Sequence, residues 1–134
     1  MLTQVSKPRY TKVKYALIDP IGFAGEKINV KMGVEIVYTG PPPLYAAYAV
    51  ILYVGGPSSY AESKWFPYRE RKGMYFSQYL GSRKGVFDLS TWIKFPEKGF
   101  HTVKLGTLVV RHDPTKGYGV YQYENLSTRY VLVL

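Results

Sequence analysis

The sequence predicts an all-β protein, an antiparallel β-sandwich of about eight or nine strands with little or no helix. Three observations carry this. From Gly25 to Tyr38 the apolar residues Ile28, Val30, Met32, Val34, Ile36 and Tyr38 fall on consecutive even positions, with Asn29, Lys31, Gly33, Glu35 and Val37 between them. A strand sends alternate side chains to opposite faces, so this stretch reads as one long strand with a single buried face. Lys-Gly followed by an apolar residue recurs at Lys72-Gly73-Met74, Lys84-Gly85-Val86, Lys98-Gly99-Phe100 and Lys116-Gly117-Tyr118, each a turn that opens a new strand. No segment sustains the spacing of an amphipathic helix.

Residues 1–10 carry Lys7 and Arg9 without a periodic pattern and are expected to form a flexible basic arm ahead of a single domain over 11–134. Thr11–Ile18 sets Val13, Tyr15 and Leu17 against Lys12 and Lys14, a first strand stopped by Asp19-Pro20. Ile21–Ala24 leads into the long strand. Gly40 and Pro41-Pro42-Pro43 end it, because proline has no N–H to give to a ladder. Leu44–Val54 is apolar on both parities; its β-branched residues and the Gly55-Gly56-Pro57 stop favour a strand buried on both faces over a short helix. Residues 55–72 are the least regular. The Lys-Gly turns then imply strands at Met74–Leu80, Val86–Phe95, Phe100–Val110 and Tyr118–Tyr123. Thr128–Leu134, apolar on both parities, is expected to close the fold inside a sheet.

At 134 residues the chain is long enough to bury a core without staples. It has no cysteine, which excludes disulfides, thiol catalysis and cysteine-ligated metals. Eighteen Lys and Arg against nine Asp and Glu leave a net charge of +9, which suits anionic partners as well as solubility. The 14 tyrosines suit half-buried strands and protein interfaces. Residues 1–14 lack an apolar run of signal-peptide length, and the apolar run Leu44–Val54 is too short to cross a bilayer as a helix. A soluble, cytoplasmic or virion-associated chain is expected. The absence of cysteine, the few Gln and Asn, and the abundance of Tyr, Val and Lys resemble proteins of thermophilic archaea or their viruses.

Two stretches resemble immunoglobulin-like sandwiches of the fibronectin type III kind. Gly25–Tyr38 is similar to the second strand of such domains. Phe95-Pro96-Glu97-Lys98-Gly99-Phe100-His101-Thr102-Val103-Lys104-Leu105 resembles their turn and strand P-x-x-G-x-Y-T-V-x-L, without its tyrosine and without the inter-sheet cysteines. The resemblance spans residues 24–134. It implies an immunoglobulin-like architecture and a module that binds or builds.

No nucleophile elbow, phosphate loop or dinucleotide fingerprint occurs, and no pair of carboxylates is marked out for glycosidic chemistry. His101 and His112 lie on one predicted strand, roughly 35 Å apart if it is extended, so they read as surface histidines with Asp113-Pro114 as a turn. No enzyme, cofactor or metal is therefore expected. The candidate binding residues are the bases and aromatics of 64–84: Lys64, Trp65, Tyr68, Arg69, Arg71, Lys72, Tyr75, Arg83 and Lys84. The leading expectation is a structural or assembly protein acting by protein–protein contact, such as a surface, filament or virus-particle component. The alternative is a nucleic-acid-binding domain in which these bases meet phosphates and the aromatics stack on bases. A third reading is a carbohydrate-binding module with Trp65 and Tyr68 as the platform.

Overall fold

A computed structural model describes residues 9–38, 44–65, 69–113, 115 and 118–134; for 44–45, 112–113 and 118 only the backbone is described. Among these residues ten strands form two five-stranded sheets. The first sheet runs, from edge to edge, β1 (Thr11–Ile18), β3 (Ile28–Ile36), β8 (Gly85–Lys94), β5 (Tyr60–Ser63) and β6 (Glu70–Arg71). The second runs β2 (Ile21–Gly22), β10 (Tyr118–Val133), β9 (Gly99–Asp113), β4 (Leu44–Gly55) and β7 (Tyr75–Gly81). Every pairing is antiparallel except β2 with β10. The protein is thus an all-β, largely antiparallel sandwich, as the alternation and turn spacing imply. No helix long and apolar enough to cross a membrane is present among the described residues.

The alternation of β3 is the origin of the core. Ile28, Val30, Met32, Val34 and Ile36 are all buried, while Asn29 and Lys31 face solvent. They meet Ala47, Ala49, Ile51 and Tyr53 from β4 and Val103, Leu105 and Val109 from β9. β3 ends at Ile36, short of Tyr38, and the Val37 N–H just beyond it still donates, in register with β1, to the Tyr10 carbonyl at 2.9 Å. The turn glycines of Lys72-Gly73 and Lys98-Gly99 have φ of 95° and 128°, as a glycine turn requires. At the Lys84-Gly85 turn the left-handed residue is Gly81 (φ 105°), not Gly85, which already belongs to β8. The Pro41–Pro43 stop and the Lys116-Gly117 turn fall outside the described residues.

Several expectations are corrected. Ile21 and Gly22 are not a lead-in to β3. Pro20 has no N–H with which to continue β1, but its carbonyl accepts from Leu132 N–H at 2.9 Å, so the chain crosses to the second sheet and pairs parallel with the end of β10. Residues 55–72 are not wholly irregular: they carry β5 and β6, which leave the β4–β7 side of the second sheet to extend the first. The two strands expected at Tyr118–Tyr123 and Thr128–Leu134 are one, β10, interrupted by a bulge between Glu124 and Ser127. Asn125 sits in this bulge with φ of 55°, a conformation Asn tolerates better than most residues.

Of residues 1–10, expected to form an arm, Arg9 and Tyr10 are described. Residues 1–8 lie outside the described residues, and Tyr10 is buried in the core. It is held by Glu124, whose buried carboxylate accepts from the Tyr10 N–H (3.1 and 3.2 Å), the Thr11 N–H (2.9 Å) and the Thr11 hydroxyl (2.6 Å). Gln122 Nε2 donates to the same carboxylate at 2.7 Å. The Thr107 hydroxyl, with one hydrogen to give, lies 2.7 Å from Thr11 Oγ1 and 3.0 Å from the Glu124 carbonyl oxygen. The bulge of one sheet thereby clamps the first strand of the other.

Candidate functional site: the tyrosine face of the second sheet

In a two-layer sandwich each strand has one face toward the opposite sheet and one toward the outside. The two outer faces here differ sharply. That of the first sheet carries Lys12, Lys14, Lys31, Glu35, Asp88 and Lys94, with Leu17 and Val86 exposed among them, a charged surface broken by single apolar side chains. Its one long reach is Tyr15, which crosses Gly33 to donate to Asp88 at 2.7 Å; a Cβ on Gly33 would sit 2.3 Å from the Tyr15 ring.

On the outer face of the second sheet, Lys104 is the one charged side chain among the described residues of β4, β7, β9 and β10. The rest are aromatic, aliphatic or small. Register places Tyr79, Tyr48, Leu108 and Tyr123 side by side across all four strands, and Val110 between Ala46 and Tyr121. Ala46, Val50 and Leu108 are buried, yet they stand apart from the inter-sheet core. They form a floor beneath tyrosine rings. Tyr48 and Tyr79 meet edge-to-face at 5.5 Å, and Tyr75 and Tyr123 at 6.3 Å. Burial pushes the Tyr123 phenol up, with the Tyr75 phenol adding to the shift, so this hydroxyl stays protonated and able to donate.

Between these rings lies a groove of about 450 Å³ lined by Ala46, Tyr48, Tyr75, Ser77, Leu108, Val110 and Tyr121. At the far end of β9 and β10, Phe100 (71% exposed) and Tyr130 (67% exposed) stand out from the face. The bulge makes this arrangement. Before it, odd residues of β10 point outward (Tyr121, Tyr123); after it, even ones do (Thr128, Tyr130), and Glu124 turns in. Gly106 faces the bulge: a Cβ there would meet Leu126 Cδ2 at 2.7 Å and the Glu124 and Asn125 carbonyl oxygens at 3.0 Å.

Of the eight described residues among those expected to form a site, Tyr75 alone belongs to this face. Arg71 and Lys72 precede β7 and Arg83 and Lys84 follow it, so the two basic pairs are separated by the length of that strand, roughly 23 Å for seven residues. Lys72 donates to the Gly56 carbonyl at 3.2 Å. Arg69 is paired with Glu62 at 2.9 Å and lies over the Tyr60 ring at 4.6 Å. Lys64 is exposed at the end of β5. Trp65 is only 5% exposed and packs in the core, so it offers no platform to a base or a sugar. Tyr68 falls outside the described residues. Sequence reasoning missed the face itself, although its signal was present. β4 and the end of β10 are apolar on both parities, and among the described residues no second layer covers their outer side: Val54, Tyr130 and Leu134 are exposed, Tyr48 and Leu52 half-buried.

His101 is buried rather than on the surface. Its Nδ1–H donates to the Gly99 carbonyl (2.9 Å), so Nε2 accepts from the Ser58 hydroxyl (2.7 Å); the Glu97 N–H in turn donates to Ser58 Oγ (3.1 Å). The Phe95 ring stacks on the imidazole at 4.3 Å, and Tyr53 donates to the Ser58 carbonyl at 2.6 Å. Burial lowers the His101 pKa, with the Gly99 carbonyl opposing. The hydroxyl–imidazole pair resembles a nucleophile and base, but both members are enclosed and each polar atom is satisfied from within the chain. It ties the β4–β5 loop to β9.

No protein-family model and no curated protein matches the chain. Solved structures similar to it include two bacterial proteins. One is a cohesin module from a family 33 glycoside hydrolase of Clostridium perfringens, 16% identical, covering 92% of this chain and 96% of that one, with a TM-score of 0.46. The other is AggA, the major subunit of the type I aggregative adherence fimbriae of Escherichia coli, 11% identical, covering 99% and 100%, with a TM-score of 0.37. At these identities and scores neither likeness bears on function.

Proposed function

We propose that this protein is a non-enzymatic structural or assembly component that works by protein–protein contact through the outer face of its second sheet. The observation that supports this reading is the contrast between the two outer faces. A chain with 27 charged residues (18 basic and nine acidic) leaves one charged side chain, among the described residues, on the outer face of four adjacent strands, and tyrosines cover that face instead. Contact surfaces are poor in charge at their centre and rich in Tyr, and an apolar patch of this extent on a soluble protein marks an interaction site. The nucleic-acid alternative loses its motive, because the basic pairs lie at opposite ends of β7 and Trp65 is enclosed.

The test is retention of protein from an extract of the cells that make the chain. Immobilised wild type is compared with Tyr48→Glu on the tyrosine face and Lys31→Glu on the charged face. The reading expects specific protein to be retained by wild type and Lys31→Glu and lost with Tyr48→Glu. Retention of nothing, or equal retention by both variants, refutes it.

A further inference from the structure

We infer that the partner of the tyrosine face is the same face of a second copy, related by a two-fold axis that seats the ridge of each copy in the groove of the other. This rests on the contact reading above and names its occupant. Three features point to it.

The first is charge. Two chains of net +9 repel, so a homotypic contact needs a surface from which charge has been withdrawn. The tyrosine face meets this condition, with Lys104 half-buried near its middle. The open edge of β7 does not: antiparallel pairing of two copies along it would set Arg71 and Lys72 of one against Arg83 and Lys84 of the other.

The second is shape. An isologous contact requires a surface complementary to itself, with residue i meeting j and j meeting i. Phe100 and Tyr130 project at one end of β9 and β10, and the groove over Leu108 and Val110 opens at the other. Ten residues of β9 separate Phe100 from Val110, roughly 33 Å of strand. An axis through the middle of this span, near Gly106 and the bulge at Leu126, exchanges ridge and groove.

The third is size. Four strands spaced about 4.8 Å apart, over roughly 33 Å of length, give a flat footprint of about 600 Å² per copy, and side-chain relief adds to it. A stable pair buries about 800 Å² per partner.

The test is sedimentation equilibrium of the full chain from about 5 to 500 μM, at 50 mM and at 500 mM NaCl. The expected result is a monomer–dimer equilibrium that tightens at the higher salt, about threefold or more, because salt screens the repulsion between two cationic chains. Tyr130→Asp and Val110→Lys, each shown by circular dichroism to keep the fold, should each weaken dimerisation at least tenfold. Mixed together they should recover it, because one contact then pairs opposite charges and the other is wild type on both sides.

A wild type that stays monomeric at 500 μM in both salts overturns the homotypic pairing. So does a dimer that weakens with salt, which indicates an acidic or nucleic-acid component in the complex. A mixture of the two variants no tighter than either alone overturns the ridge-in-groove arrangement. A monomer that still retains another protein in a manner lost with Tyr48→Glu removes this inference and leaves the contact reading standing; failure of both assays removes both.

Discussion

Replacing Glu124 by alanine should cost this fold more than any surface substitution, and the magnitude follows from the donors it leaves behind. The carboxylate accepts from two buried backbone N–H groups, of Tyr10 and Thr11, from the Thr11 hydroxyl and from Gln122 Nε2. The two N–H groups and the Thr11 hydroxyl are enclosed. Each buried donor left unsatisfied costs about 1–3 kcal/mol, and removing one partner of a buried charged network costs about 3–5 kcal/mol in total. Against the 5–15 kcal/mol or so that hold a typical domain together, about 4 kcal/mol is a large share. It corresponds to a fall in Tm of about 10–20 °C for a chain of this size. Glu124→Gln keeps the volume and one acceptor oxygen but turns an NH2 toward donors, so an intermediate loss of about 1–3 kcal/mol is expected. The assay is guanidinium unfolding followed by tryptophan fluorescence, with amide exchange at Tyr10 and Thr11 as the local readout. A double-mutant cycle with Thr11→Val should show coupling of at least about 0.5 kcal/mol. A Glu124→Ala protein destabilised by less than about 1 kcal/mol, with the Tyr10 and Thr11 amides still protected, refutes the clamp.

Three further outcomes follow from the same geometry. Gly106→Ala places a Cβ 2.7 Å from Leu126 Cδ2 and 3.0 Å from two bulge carbonyls; the bulge must shift, and a loss of about 1–3 kcal/mol is expected in thermal unfolding. Burial holds the His101 pKa below its ordinary value of 6.5. The unfolded chain then binds the proton more readily, so the contribution of this residue is fully present above about pH 6.5 and is lost as pH falls below it. Melts at pH 8, 7, 6 and 5 should show this decline, and His101→Gln should flatten it. Trp65→Ala should lower stability by about 3–5 kcal/mol, as loss of a core aromatic does, and leave contact through the tyrosine face intact at temperatures where the variant is folded; an unchanged melting temperature would contradict its enclosure.

Much of the fold was legible residue by residue. Thr11–Ile18 is β1 with the bounds its alternation suggests, and the even residues of 28–36 are the buried set. These are local properties: a period of two and a glycine or proline at a turn are written in neighbouring residues. The departures all involve partners distant in sequence. Nothing around Ile21 announces parallel pairing with Leu132, and nothing around Asn125 announces a bulge seated on Gly106. From sequence His101 reads as a surface residue because an extended strand puts it too far from His112 to share a site; Ser58, 43 positions away, supplies the hydrogen bond that lets it be buried. Trp65 and its basic neighbours were adjacent in the chain, but the excursion through β5 and β6 turns the ring into the core and β7 carries the bases apart.

The sequence by itself determined that this protein is a sandwich of strands, because alternation leaves each strand with a face to bury and no helical spacing competes with it. It also determined that β4 and the end of β10 have two apolar faces. It could not say which of those faces the opposite sheet would cover, since both parities satisfy the same hydrophobic rule. Tertiary structure decided that. Ala47, Ala49, Ile51 and Tyr53 went inward with the β3 set, and Ala46, Tyr48, Val50 and Leu52 were left on the outside. The physical reason is that a two-layer sandwich has only one interior: when every face of a strand is apolar, the second is left to the tyrosine rings of the same sheet.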